Sequence, residues 1–217
     1  MENLINTVPA ENQMRHSDEI SFLGDPEAPW RILILGNSIT RHGPSSEIGW
    51  HRDWGMAASA PEKDYVHRLF AKLKASGKEP YMMIRQASHW ERNFNDPDCL
   101  LRYEAERAFG AHTVIFRLGE NVSKNDYSTL SKAAKDLVSF VAPRSASVIF
   151  TTNFWKNTAC DDAIGKTARE LNAVCVDIGC TDESMMALGK FAHRGVSIHP
   201  GDEGMEMIAE KIFHALT

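Results

Sequence analysis

Five short runs of apolar and β-branched residues punctuate the chain: RILIL (31–35), YMMIR (81–85), TVIFRL (113–118), SVIFTT (147–152) and AVCVDI (173–178). Each is continuous rather than alternating, the pattern of strands buried on both faces of a parallel sheet. Between them lie stretches with helical spacing. Over 64–75, Tyr65, Leu69 and Leu73 stand four apart, with Val66 and Phe70 beside them. The stretches 97–109, 130–141 and 162–171 follow the same logic, and a last helix from about 202 puts Met205, Ile208, Ile212 and Leu216 on one stripe.

Strands that alternate with helices build βαβ units, hence a parallel sheet covered on both sides. The expectation is a single-domain, flavodoxin-like three-layer α/β/α fold with a five-stranded parallel sheet in the order 2-1-3-4-5. Residues 1–29 are polar and rich in turn formers, and read as an N-terminal extension or covering arm ahead of a domain spanning 30–217. One connection breaks the usual economy of short loops. Nearly 30 residues separate the first strand from the helix near Asp64, and they carry Trp50, Trp54, His42 and His51. Structureless connections longer than about 12–15 residues are uncommon and often functional.

Composition narrows the partners. Of 217 residues, 43% are hydrophobic and 24% charged, which excludes disordered, collagen-like and coiled-coil classes. A net charge of -5 with no basic stripe argues against nucleic acid and anionic membranes as partners. The N-terminus has no signal-peptide pattern and no run approaches the ~20 apolar residues of a membrane span, so the cytoplasm is the default expectation. Cys99, Cys160, Cys175 and Cys180 lack the spacing of a zinc knuckle or redox dithiol and read as reduced structural thiols. His42, His51, His89 and His193 match no helical metal-binding pair, so neither a metal nor any other cofactor is implied. The pattern fixes no oligomeric state.

In an open parallel sheet, ligands bind beyond the carboxyl ends of the strands, where the strand order reverses. With this order, that point lies between the first and third runs. GNSIT (36–40) follows the first run and GEN (119–121) the third, while His199 stands in VSIHP (196–200) just before the final helix. Serine, histidine and an amide donor form an acyl-transfer set. Ser38 needs an adjacent base, which His199 supplies; an oxyanion needs donors, which Asn121 and backbone N–H groups supply. With an unperturbed imidazole, activity is expected to fall around or below pH ~6.5.

These blocks resemble the SGNH branch of the GDSL hydrolases over roughly 31–217. GNSIT is similar to the family's first block, GEN to its third, and His199 with Pro200 to its last. The resemblance implies Ser38 as nucleophile, Asn121 as oxyanion donor and His199 as base. The 49–69 stretch looks like a carbohydrate-esterase subgroup, which implies a serine esterase acting on a short-chain, O-acetyl ester of a carbohydrate. Two departures stand out. The family usually carries Asp three residues before the histidine, where this chain has Val196. Either a backbone carbonyl orients His199, or a carboxylate such as Asp202, Glu203 or Glu120 does. The second block lacks the glycine whose N–H commonly joins the oxyanion hole, and reads QASHWER (86–92) instead.

Trp50, Trp54, Trp90 and Trp155 fall in or near loops on the ligand-binding edge, and flat aromatic faces stack on sugars; Trp50, Trp54 and Trp90 are therefore candidate substrate contacts. Other functions stay open on the same fold. A lipase or thioesterase needs an apolar tunnel for its acyl chain, and a non-catalytic sugar-binding protein needs no activated serine. A phosphate binder needs a glycine-rich cradle that this chain lacks.

Overall fold

The run at 31–35 sends Ile32 and Ile34 to one face of a sheet and Leu33 and Leu35 to the other, and all four side chains are fully buried. A strand covered on both sides has no solvent face to mark with polar residues, which is why its sequence does not alternate. The computed structural model describes residues 19–217. Its strands are β1 (Ile20–Leu23), β2 (Trp30–Gly36), β3 (Pro80–Gln86), β4 (Thr113–Arg117), β5 (Ser147–Thr151) and β6 (Val174–Val176). They form one sheet in the order β1-β3-β2-β4-β5-β6. Strands β2 to β6 are the five expected ones, mutually parallel and in the expected order.

The sheet has six strands, not five. Strand β1 pairs antiparallel with β3, Ile20 opposite Arg85 and Leu23 opposite Met82. It lies inside the segment read as an extension, of which residues 1–18 fall outside the described residues. Four residues carry too little pattern to stand out, and long-range partners hold them. Buried Glu19 meets Arg85 at 2.9 Å and Arg102 at 3.2 Å, and Arg85 also meets buried Glu106 at 3.2 Å. Buried charges persist only when paired in this way.

The helices are α1 (Tyr65–Ala75), α2 (Ser88–Asn93), α3 (Glu104–Phe109), α4 (Tyr127–Val141), α5 (Thr158–Glu170), α6 (Arg194–Ser197) and α7 (Asp202–Leu216). Helices α1 and α7 cover the face of Ile32 and Ile34 through Leu69, Leu73, Met205, Ile208 and Ile212. Helices α4 and α5 cover the other face through Leu130, Leu137, Cys160 and Ile164. Each such buried aliphatic side chain contributes about 1.5–3 kcal/mol. The expected 97–109 helix is a 3-10 turn, Cys99–Tyr103, running into the short α3. All four cysteines are free thiols.

The long connection after β2 is folded upon itself. His42 bridges Trp54 and Ser45 bridges Trp50 in antiparallel fashion. Ile48, Trp50, Met56 and Ala57 form a small core of their own with Ala187 and Val196, the latter on α6. The Met56 N–H donates to the Ser38 carbonyl at 2.9 Å, so this segment is a packed wall fastened to the turn after β2.

Candidate active site

Strand order reverses between β2 and β4, and their carboxyl ends deliver Gly36-Asn37-Ser38 and Gly119-Glu120-Asn121 to the same edge. The first turn closes tightly. Asn37 O accepts from the N–H groups of Thr40 (2.9 Å) and Arg41 (3.0 Å), and Asn37 Oδ1 accepts from Ile39 N–H at 3.2 Å. A Cβ on Gly36 would lie 1.8 Å from Thr40 Oγ1, so only glycine lets Thr40 fold back against the strand and meet Tyr65 at 2.7 Å. Ser38, the residue at the apex, is half-buried, and its N–H donates to no group among the described residues.

His199 reaches that apex from the opposite side. Its Nε2 lies 2.8 Å from Ser38 Oγ, and its Nδ1 lies 2.6 Å from the carbonyl oxygen of Gly195. A carbonyl can only accept, so Nδ1 carries the proton and Nε2 presents a lone pair to the serine hydroxyl. Burial lowers the imidazole to about 3, against the opposing pull of the Gly195 carbonyl; His199 is therefore neutral near pH 7. The edge of Trp155 packs on the ring, with centroids 5.2 Å apart at 86°, and Trp155 Nε1 donates to Ile198 O at 3.1 Å.

The two alternatives for orienting His199 resolve in favour of the backbone. Val196, three residues before His199, is buried in the small core of the long connection. Asp202 accepts instead from Ser59 N–H (2.9 Å) and Ser59 Oγ–H (2.7 Å), and Glu203 is exposed. Glu120 is engaged by Arg117, by Asn37 Nδ2 at 2.7 Å and by Phe154 N–H at 3.0 Å.

Asn121 is half-buried beside a fully enclosed carboxylate. Glu91 Oε2 accepts from Asn121 Nδ2 at 2.6 Å, while Glu91 Oε1 accepts from Gly119 N–H (2.6 Å), Asn121 N–H (3.3 Å) and Asn37 Nδ2 (3.1 Å). Burial and the neighbouring Glu120 push the Glu91 carboxyl upward, and these donors oppose the rise. Gly119 has φ +150, and a Cβ there would meet Asn153 Oδ1 at 2.4 Å, so the chain can pass this close only as glycine. In the second block, Ala87 N–H is taken by Gly36 O (2.6 Å) and Ser88 N–H by Gln86 Oε1 (3.2 Å).

No family model and no curated protein matches the chain. Solved structures do. The crystal structure of TesA is 16% identical, with a TM-score of 0.55 over 86% of this chain and 98% of that one. The psychrotrophic esterase EstA from Pseudoalteromonas sp., inhibited by monoethylphosphonate, is 16% identical, with a TM-score of 0.53 over 86% and 96%. A family two carbohydrate esterase from Clostridium thermocellum in complex with cellohexaose is 12% identical, with a TM-score of 0.54 over 89% of this chain and 66% of that one. The fold is that of the SGNH hydrolases.

Within this SGNH fold, the structure brings Ser38 and His199 into hydrogen-bonding contact and places Asn121 on the adjoining loop. It does not make a platform of the expected tryptophans. Trp50 and Trp90 are each 1% exposed. Trp50 Nε1 donates to His42 O at 2.9 Å, and Trp90 packs between Phe94 and Phe116. Indoles bury more apolar area than most side chains, and here the core claims them. Trp54 is half-buried, with the Arg52 guanidinium 5.2 Å from its ring centre. Trp155 is the tryptophan that touches the dyad. Glu91, Arg92 and Gly195 had no role in the sequence reading. A carboxylate directly after Trp90 in the second block was the available signal for Glu91; for Gly195 there was none, because its contribution is a main-chain oxygen.

Proposed function

We propose that this chain is a serine esterase that hydrolyses a small ester, an O-acetyl group on a carbohydrate, through Ser38 and His199. The observation that carries the reading is the relay Ser38 Oγ to His199 Nε2 (2.8 Å) and His199 Nδ1 to Gly195 O (2.6 Å). Ser38 attacks the ester carbonyl as His199 takes its proton, and the Gly195 carbonyl steadies the resulting imidazolium. The oxyanion is received by the Ser38 N–H and by the Asn121 amide. His199 returns the proton to the departing sugar hydroxyl. Water, deprotonated by His199, then attacks the acyl-enzyme and releases acetate.

The carbohydrate assignment draws support from the cellohexaose-bound carbohydrate esterase that shares the fold, and from Trp155, an aromatic surface beside the base. The test is intact mass after exposure to a fluorophosphonate, on wild type and on Ser38→Ala. A single adduct on wild type and none on the variant supports the reading. A panel of acetylated sugars and of 4-nitrophenyl esters of rising chain length then defines the substrate, with acetate preferred over long chains. No adduct on folded wild type overturns hydrolysis in favour of sugar binding.

A further inference from the structure

Resting on that reading, we infer that Glu91 and Arg92 are positioning residues that grip the Asn121 carboxamide from both ends. A side-chain amide has two N–H donors and one acceptor oxygen, and it functions as an oxyanion donor only in one of its two flip states. Here both ends are committed. Arg92 Nη2 donates to Asn121 Oδ1 at 3.0 Å, and Asn121 Nδ2 donates to Glu91 Oε2 at 2.6 Å. The reverse flip would set an amide N–H against the guanidinium and a carbonyl against the carboxylate, both repulsive. One N–H is spent on Glu91, and its geminal partner is left for the oxyanion.

Glu91 does more than hold one amide. Its Oε1 also takes the N–H of Gly119 and the side chain of Asn37, the residue before Ser38. One buried carboxylate therefore fixes the turn that carries the nucleophile relative to the loop that carries the oxyanion donor. Glutamine cannot replace it. One of its two terminal atoms is itself a donor, and both carboxylate oxygens of Glu91 face N–H groups.

The test is steady-state hydrolysis of 4-nitrophenyl acetate by Glu91→Gln and by Arg92→Ala, each in wild-type and Asn121→Ala backgrounds. Arg92 is exposed, so its variant carries the test if the buried substitution fails to fold. Losing an oxyanion donor outright costs ~10²–10³, so releasing the grip is expected to lower kcat about tenfold in Glu91→Gln and about threefold in Arg92→Ala, with KM within about twofold. In the Asn121→Ala background Arg92→Ala lowers kcat no further, because Asn121 is all that it holds, whereas Glu91→Gln keeps only the smaller part of its effect that acts through Gly119 and Asn37. A merely structural role would lower kcat equally in both backgrounds, and that result overturns the inference, as does unchanged kcat. Fluorophosphonate labelling separates the two failures. A labelled wild type with these outcomes sinks the grip alone, whereas an unlabelled wild type removes hydrolysis and the grip together.

Discussion

The Gly195 carbonyl stands 2.6 Å from His199 Nδ1, in the place where a carboxylate would orient the imidazole of a catalytic triad. It performs two tasks of the acid, fixing the tautomer and the ring plane, but it brings only a dipole to the imidazolium. The carboxylates nearest in sequence are bystanders. Asp202→Ala is expected to leave kcat/KM within about twofold while lowering stability by about 0.5–2 kcal/mol, since it removes the Ser59 contacts and an acidic group from the first turn of α7. Steady-state kinetics beside urea denaturation checks both halves.

The acid limb of the rate should lie well below the pH ~6.5 that an ordinary imidazole gives. Burial lowers His199 to about 3, so the neutral base persists as pH falls and is lost only as pH approaches that value. A kcat/KM profile flat from pH 8 to pH 5, measured where circular dichroism shows the protein folded, is the expected result. A single ionisation near 6.5 would contradict it.

Stability should fall over the same range in which activity holds. His42 is fully buried, with Nδ1 2.7 Å from Gly43 O, and burial lowers it to about 4. Between about 4 and 6.5 the unfolded chain binds a proton that the folded chain refuses. This contribution is complete above 6.5 and is lost as pH falls, at up to about 1.4 kcal/mol per pH unit. Urea midpoints between pH 7 and 4.5 should decline in wild type and decline less steeply in His42→Gln.

Trp50 and Trp90 should report on the core rather than on substrate. Trp90→Ala is expected to cost about 3–5 kcal/mol of stability, with KM for an acetylated sugar unchanged in the folded fraction. Trp155→Ala should do the reverse, lowering kcat or raising KM with a smaller loss of stability, because half-buried Trp155 rests on His199. Denaturant titration and kinetics on the two variants tell the cases apart.

Strands β2 to β6 were legible because each is a continuous apolar run, and the order of GNSIT, GEN and His199 along them brought the candidate site into view. Strand β1 was hidden because its pairing depends on Arg85 and Arg102, more than 60 residues away, rather than on any local period. The tryptophans misled because loop sequence does not reveal that Trp50 will pack against Val196. Gly195 left no trace, since any residue at that position offers a carbonyl and the turn of α6 decides where it points.

The core shared by Ile48, Trp50, Met56, Ala187 and Val196 has a consequence for heat inactivation. Through Met56 it is fastened to Ser38, and through Val196 it adjoins the Gly195 carbonyl that aims His199. The proposed nucleophile and base are thus both tied to a satellite cluster outside the sheet. If the satellite melts before the main layers, the proposed activity is expected to fade on warming at temperatures where the bulk of the secondary structure is still intact.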